Sequence, residues 1–234
     1  MERAKGELLI IEDDAPVRMF LSSNLKVRGY NVSMAKTADE GLELLALKAP
    51  DVIILDLSLP GMDGLTALRE LRSWSKVAVI VLSARGDERT KIDALDLGAD
   101  DYVTKPFSIE ELIARVRAVT RRLENANSND VGLALYNDGT LSVDLAARRV
   151  VFEGKEVALT RTEFELLRAL VVNTGKLLTH RELLQTVWGP EYGDETEYLR
   201  TFIKQLRRKL EQDPASPSYI QTVAGFGYKF SLKN

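Results

Sequence analysis

Short apolar runs punctuate the first half of the chain at Leu8–Ile11, Val32–Ala35, Val52–Leu55, Val77–Leu82 and Tyr102–Val103. Apart from Ser33 in the second, each run is continuous, without the polar alternation of a strand that has one wet face. Between them apolar positions recur at helical spacing, as at Val17, Phe20, Leu21 and Leu25, and again at Leu42, Leu44 and Leu45. Continuous apolar strands alternating with amphipathic helices predict a parallel sheet covered on both faces. Thr37 with Glu40 and Ser108 with Glu111 fit capping boxes, and Asp14 before Ala15-Pro16 fits an N-cap with proline in the first turn. The expected fold over residues 1–122 is an α/β, doubly wound, five-stranded domain.

The pattern changes after a polar, asparagine-rich stretch, Leu123-Glu124-Asn125-Ala126-Asn127-Ser128-Asn129-Asp130, which reads as a linker over residues 123–131. Residues 133–159 give short alternating strands around the turns Asn137-Asp138-Gly139 and Glu153-Gly154-Lys155. Helical patterns then start at Thr160 with Glu163, at Thr179 with Glu182, and run from about Glu195 to Glu211. Tyr219–Val223, Ala224–Gly227 and Tyr228–Phe230 read as a closing β-hairpin. This order predicts an α+β winged helix-turn-helix over residues 132–234.

Composition narrows the class. A chain of 234 residues suits two domains, and 45% hydrophobic with 29% charged residues is the balance of folded globular proteins. The absence of cysteine excludes disulfides and thiol chemistry. The apolar run near the N-terminus is too short for a signal segment, and no stretch approaches membrane-spanning length, so the expected location is cytoplasmic, with no membrane partner. The net charge of −3 is uneven: residues 1–122 carry 18 basic against 20 acidic side chains, whereas residues 196–212 carry five against two. A locally basic helix in a nearly neutral half is compatible with nucleic acid.

In open α/β sheets function gathers at the carboxyl ends of the strands. Glu12 and Asp13 follow the first run, Asp56 the third, Ser83 the fourth and Lys105 the fifth. Carboxylates brought together repel unless a cation joins them, and an all-oxygen set without His or Cys favours Mg²⁺. Asp56 then serves as a carboxylate nucleophile toward a phosphoryl group, with a hydroxyl donor in Ser83 and a point positive charge in Lys105. A lone Asp at a strand end is more often a helix cap, but complementary chemistry at four strand ends is not explained that way.

The ordered motifs IIEDD, ILDLSLPGMDG, VIVLSAR and GADDYVTKPF resemble the receiver domain of two-component response regulators over residues 7–122. The resemblance implies that a sensor histidine kinase phosphorylates Asp56. It implies Mg²⁺ on Asp13, Asp56 and the backbone carbonyl of Ser58, with Glu12 acting through water. It also implies a cis Lys105-Pro106 bond, Tyr102 as a switch that follows Ser83 inward, and Arg85 and Ser58 as residues that tune phosphoryl lifetime. The fourth helix, fifth strand and fifth helix are the expected bistable face. There Lys91 with Glu111 and Asp101 with Arg115 are candidates to pair between subunits around Ile92, Leu95 and Ile113, as in the phosphorylated dimers of that family.

On the last long helix Leu199, Phe202, Ile203, Leu206 and Leu210 form a core face, while Arg200, Lys204 and Arg207 form a basic stripe with Arg208 nearby. Long donors at that spacing suit a helix in the major groove. Residues 132–234 resemble the OmpR/PhoB winged-helix effector, through LTRTEFELLRAL, GKLLTHRELLQTVWG, LRRKLE and GFGYKF. The resemblance makes 195–212 the recognition helix for promoter DNA, 223–229 the wing, and 189–194 the place of RNA polymerase contact. Many members carry Arg where this chain has Ala224, which leaves Lys229 as the wing's phosphate contact. His180, the single histidine, sits in a capping box and suggests no metal or catalytic role, and Trp188 is the expected core anchor. Finer patterns such as RELRSWS, VDLAARRV and VWGPEY are similar to the branch of the family that controls high-affinity potassium uptake.

Two other readings compete. A Mg²⁺-dependent phosphatase of the haloacid-dehalogenase type needs a second Asp two residues after the nucleophile, where this chain has Ser58, and a cap domain, which it lacks. A phosphorylation-independent DNA-binding protein with a vestigial receiver is expected to lose part of the pocket, which is complete here. The balance favours a regulator, not an enzyme.

Overall fold

Strands without polar alternation need cover on both faces, and in the first unit the inner strands have it while the edge strand at 31–35 is largely half-buried. Here β1 (Glu7–Ile11), β2 (Asn31–Ala35), β3 (Val52–Asp56), β4 (Ala78–Ser83) and β5 (Asp101–Thr104) alternate with α1 (Ala15–Val27), α2 (Ala38–Lys48), α3 (Gly64–Trp74), α4 (Glu88–Asp96) and α5 (Ile109–Asn127). The sheet order is β2-β1-β3-β4-β5, and every neighbouring pair is parallel. Leu8, Ile10, Ile54, Ile80 and Leu82 pack in one core with Leu21, Leu25, Leu112 and Val116 of α1 and α5. The computed structural model describes residues 5–84, 88–127 and 135–231, which divide into two units, Met1–Leu123 and Glu124–Asn234.

The helix starts follow the sequence closely. Asp14 accepts from Val17 N at 3.0 Å, Thr37 from Glu40 N at 3.3 Å and Ser108 from Glu111 N at 3.0 Å. Glu40 reaches back to Lys36 N rather than to Thr37, so that box is only half formed. Helix α5 continues to Asn127, into the stretch read as linker. Leu123, Glu124 and Ala126 favour helix, and neither Gly nor Pro interrupts them. The remainder of that stretch, 128–131, lies outside the described residues, as does Arg85.

The second unit begins with an antiparallel sheet of β6 (Leu135–Asn137), β7 (Leu141–Asp144), β8 (Arg149–Phe152) and β9 (Lys155–Glu156). Helices α6 (Arg161–Val172), α7 (His180–Val187) and α8 (Thr196–Leu210) follow, the first two with complete capping boxes at Thr160–Glu163 and Thr179–Glu182. Trp188 is fully buried, its ring 5.2 Å from Phe202 and 6.4 Å from Tyr198. The closing hairpin, β11 (Ile220–Val223) and β12 (Gly227–Phe230), gains a third strand that the hydropathy pattern does not announce, β10 (Leu177–Thr179). Three residues directly before a capping box are too few to show a period of two.

Candidate functional site: an acidic pocket and a basic helix

The chain leaves β1 toward β2 and β3 toward β4, in opposite directions, and this reversal opens a crevice at the carboxyl ends of β1 and β3. Glu12, Asp13 and Asp56 meet there, with one carboxylate oxygen from each lying within 4.8 Å of the others. Glu12 and Asp56 are buried and Asp13 is exposed at the mouth. Lys105, after β5, reaches across to Glu12 Oε2 at 2.8 Å and Asp56 Oδ2 at 3.2 Å. Lys105-Pro106 is cis. Ser83 is fully buried at the end of β4, and its carbonyl accepts from Lys105 N at 2.7 Å, which joins two of the pocket's elements.

The charge balance is unfinished. Burial raises the Glu12 carboxyl above its ordinary range; the Lys105 hydrogen bond opposes this and the Asp56 charge adds to it. Burial by itself would lower Lys105, but the hydrogen bond to Glu12 and the charges of Asp56 and Glu12 outweigh it and hold the ammonium above its usual value. One cation thus faces three carboxylates among the described residues. Among the described residues, Glu12 Oε1 and Asp56 Oδ1 are buried without a hydrogen-bond partner. Orphaned anionic oxygens in a hard, all-oxygen set fit a small divalent cation.

Residues outside the sequence prediction hold this pocket in shape. Arg18, one turn into α1, donates from Nη1 to the carbonyls of Glu12 at 2.6 Å and Asp13 at 3.0 Å. Gly64 starts α3 so close to the acceptor strand that a Cβ would meet the Asp56 carbonyl oxygen at 2.4 Å. Its N–H donates to Leu57 O at 3.1 Å, closing the loop that carries exposed Ser58. The second glycine of PGMDG is a visible signal for such an approach. A lone arginine in an amphipathic helix is not.

The residues expected to pair between subunits have partners or cover within the single chain. Arg115 pairs inside its own chain, with Asp101 at 3.0 Å and Glu111 at 2.9 Å. The Asp101 side chain is fully buried, and Leu95 and Ile113 are core residues at 1% and 3% exposure, not a surface patch. Helical spacing placed them on the face of α4 and α5 that turns inward against the sheet. Lys91 and Ile92 remain half-buried, and Tyr102 is turned into the protein.

In the second unit the predicted core face of α8 is fully interior, from Leu199 to Leu210. The basic stripe divides. Arg200, Lys204 and Arg208 are exposed, with Arg200 paired to Glu197. Arg207 does not belong with them: its guanidinium donates to Ile220 O at 2.9 and 2.6 Å and to Thr222 Oγ1 at 2.7 Å, and it lies over the Tyr228 ring. That fork is used by the protein, fastening α8 to β11. Lys209 is likewise engaged, with Glu163 at 2.7 Å and Ala158 O at 3.1 Å. Lys229 lies half-buried on β12 between the buried Tyr228 and Phe230, so strand alternation turns it to the other face of the sheet.

Comparison with known proteins bears on both units. Residues 8–117 match the response regulator receiver domain, and residues 154–230 match the transcriptional regulatory protein C-terminal domain. The chain is 48% identical to the transcriptional regulatory protein KdpE of Mycobacterium tuberculosis, over 95% of this chain and 98% of that protein. It is 49% identical to the KDP operon transcriptional regulatory protein KdpE of Escherichia coli K12, over 96% and 99% respectively. Among solved structures, a RitR mutant, C128S, aligns over 96% of this chain and 98% of its own, with a TM-score of 0.79 and 27% identity.

Proposed function

The chain belongs to the family of DNA-binding two-component response regulators, and on that premise we propose that phosphorylation of Asp56 switches its binding to promoter DNA. It is a transcriptional regulator and not an enzyme, as its relatives are. The observation that carries the proposal is the pocket itself, in which Asp56 and Glu12 present orphaned oxygens beside Asp13 and Lys105.

A Mg²⁺ held by Asp13, Asp56 and the Ser58 carbonyl, with Glu12 through water, would offset the carboxylate charge and that of an incoming phosphoryl group. Asp56 attacks the phosphorus of a kinase phosphohistidine, forming a P–O bond as the P–N bond breaks and the imidazole leaves. Lys105 turns from Asp56 to a phosphoryl oxygen, and the Ser83 hydroxyl donates to another. Tyr102 is the neighbouring side chain that packs behind this change, on the α4–β5–α5 face. Dimerisation on that face engages Lys91, Ile92, Glu111 and Arg115, while Asp101, Leu95 and Ile113 support it from within.

The effector then reads DNA through Arg200 and Lys204, with Arg208 and Lys229 toward phosphates, and the loop at 189–194 faces RNA polymerase. The two similar regulators of the same name, one of them named for the KDP operon, support potassium-uptake genes as the target. Among the described residues no helix is long and apolar enough to cross a membrane, which supports a cytoplasmic site of action. The test is intact-mass analysis of wild type and Asp56→Ala after acetyl phosphate with Mg²⁺. Wild type should gain one phosphoryl group and the variant none; an unmodified wild type, or a modified variant, overturns the assignment.

A further inference from the structure

The wing tip carries a side chain that the basic helix does not account for. Phe226 stands in the turn between β11 and β12 and is 63% exposed. Its backbone is held on two sides: its N–H donates to Val223 O at 3.0 Å, and its carbonyl accepts from His180 N at 3.1 Å. One residue on, a Cβ at Gly227 would meet the Leu178 carbonyl oxygen at 2.0 Å, so β12 is pressed against β10 just where the turn ends. The ring therefore projects into water from a tethered backbone. No residue from 223 to 228 is charged.

The same hairpin is fastened at its base to α8 by Arg207, through Ile220 O and Thr222 Oγ1. Tyr228 on the returning strand lies beneath the Arg207 guanidinium, so the hairpin adjoins the helix that also presents Arg200, Lys204 and Arg208. A single exposed apolar side chain is ordinary on a protein surface; this one is set apart by its place, in the turn of a hairpin whose backbone is tethered and whose base is fastened to α8. Apolar side chains can enter the minor groove as wedges, packing on sugars and partly unstacking a base step. A neutral ring displaces no counterions, unlike a cation placed on a phosphate.

We propose that Phe226 is an apolar wedge for the minor groove of the promoter, adjoining the segment read by α8. The contact rests on the DNA-binding reading given above and adds a component to it that is independent of salt. Flexible pyrimidine–purine steps are the sequences that yield most easily to such a wedge.

The test uses the full chain and a duplex selected from a randomised pool, titrated by fluorescence anisotropy at several salt concentrations. Phe226→Ala should weaken binding about tenfold, the scale of one aromatic–base contact, and leave the slope of log K against log salt unchanged. Arg208→Ala should lower that slope by roughly one, and Phe226→Leu should restore most of the affinity. With 2-aminopurine under the wing, wild type should raise the fluorescence and Phe226→Ala should not. Equal affinity for Phe226→Ala and wild type, or a loss accompanied by a changed slope, overturns the wedge while leaving DNA binding intact. A wild type that selects no duplex overturns the DNA-binding reading together with the wedge.

Discussion

Glu211 in the effector and Asp56 in the receiver are both buried carboxylates, yet their oxygens are used differently. Glu211 accepts from the backbone N–H groups of Ser218 at 2.8 Å, Tyr219 at 2.9 Å and Ile220 at 2.8 Å. It pins the end of α8 to the start of β11. Asp138 does similar work, accepting from Thr140 and Leu141 N–H and from the hydroxyls of Tyr136 and Tyr219. In the receiver, by contrast, Asp56 and Glu12 each keep an oxygen without a partner among the described residues and share one lysine. Carboxylates saturated by N–H donors hold a fold together. Carboxylates gathered and left short of donors are poised for a cation and a reaction.

The widest contrast comes from removing each kind. Trp188 reports the effector alone once Trp74 is replaced by Phe, because these are the two tryptophans of the chain. In that background Glu211→Ala should destabilise the effector transition by about 4 kcal/mol in denaturant titrations, since it strands three backbone donors. Arg207→Ala should cost about 2 kcal/mol by the same measurement, through the orphaned Ile220 carbonyl and the lost stacking on Tyr228. Asp56→Asn should behave oppositely, leaving the receiver within about 1 kcal/mol of wild type and on the more stable side without divalent cation, because it relieves like-charge repulsion. A loss there as large as that for Glu211→Ala would erase the distinction between the two regions.

Acid sharpens it. Burial works to raise the Asp138 carboxyl, but the Leu141 and Thr140 N–H donors and the two tyrosine hydroxyls outweigh it and hold it below its usual value. A depressed carboxylate stabilises fully above its unfolded pKa, and that stability is lost as pH falls through the folded value. The effector transition should therefore weaken below about pH 4, and Asp138→Asn should flatten that limb while lowering stability near neutrality. The smallest effect belongs to the exposed stripe: Arg200→Ala should change stability by no more than about 0.5 kcal/mol. It should still reduce the preference for specific over random duplex in gel shifts, as should Lys204→Ala, while Arg208→Ala weakens both alike.

Much of this was legible in the order of residues. Continuous apolar runs announced the parallel sheet, and because function in such sheets lies beyond the strand ends, Glu12, Asp13, Asp56, Ser83 and Lys105 could be named from their places in the chain. Capping boxes located α6 and α7 to the residue. Less visible were partners chosen by tertiary packing. Arg207 lies in register with Arg200 and Lys204, and only the hairpin's return to α8 removes it from the stripe. Leu95 and Ile113 carry no mark that separates core from interface, since an apolar residue on a helix suits either. Gly64 could be suspected from the glycines of PGMDG, but Arg18 acts on backbone carbonyls of the pocket, which leave no side-chain pattern to read.

Chemistry at Asp56 should be felt at α8. The most direct measurement is the affinity of the full chain for its selected duplex before and after acetyl phosphate with Mg²⁺, with Asp56→Ala treated in parallel and phosphoryl occupancy read from intact mass. Binding should tighten at least tenfold in wild type, in proportion to occupancy, a coupling of about 1.4 kcal/mol, and stay constant in Asp56→Ala. A wild type that is fully phosphorylated and binds no more tightly would contradict it.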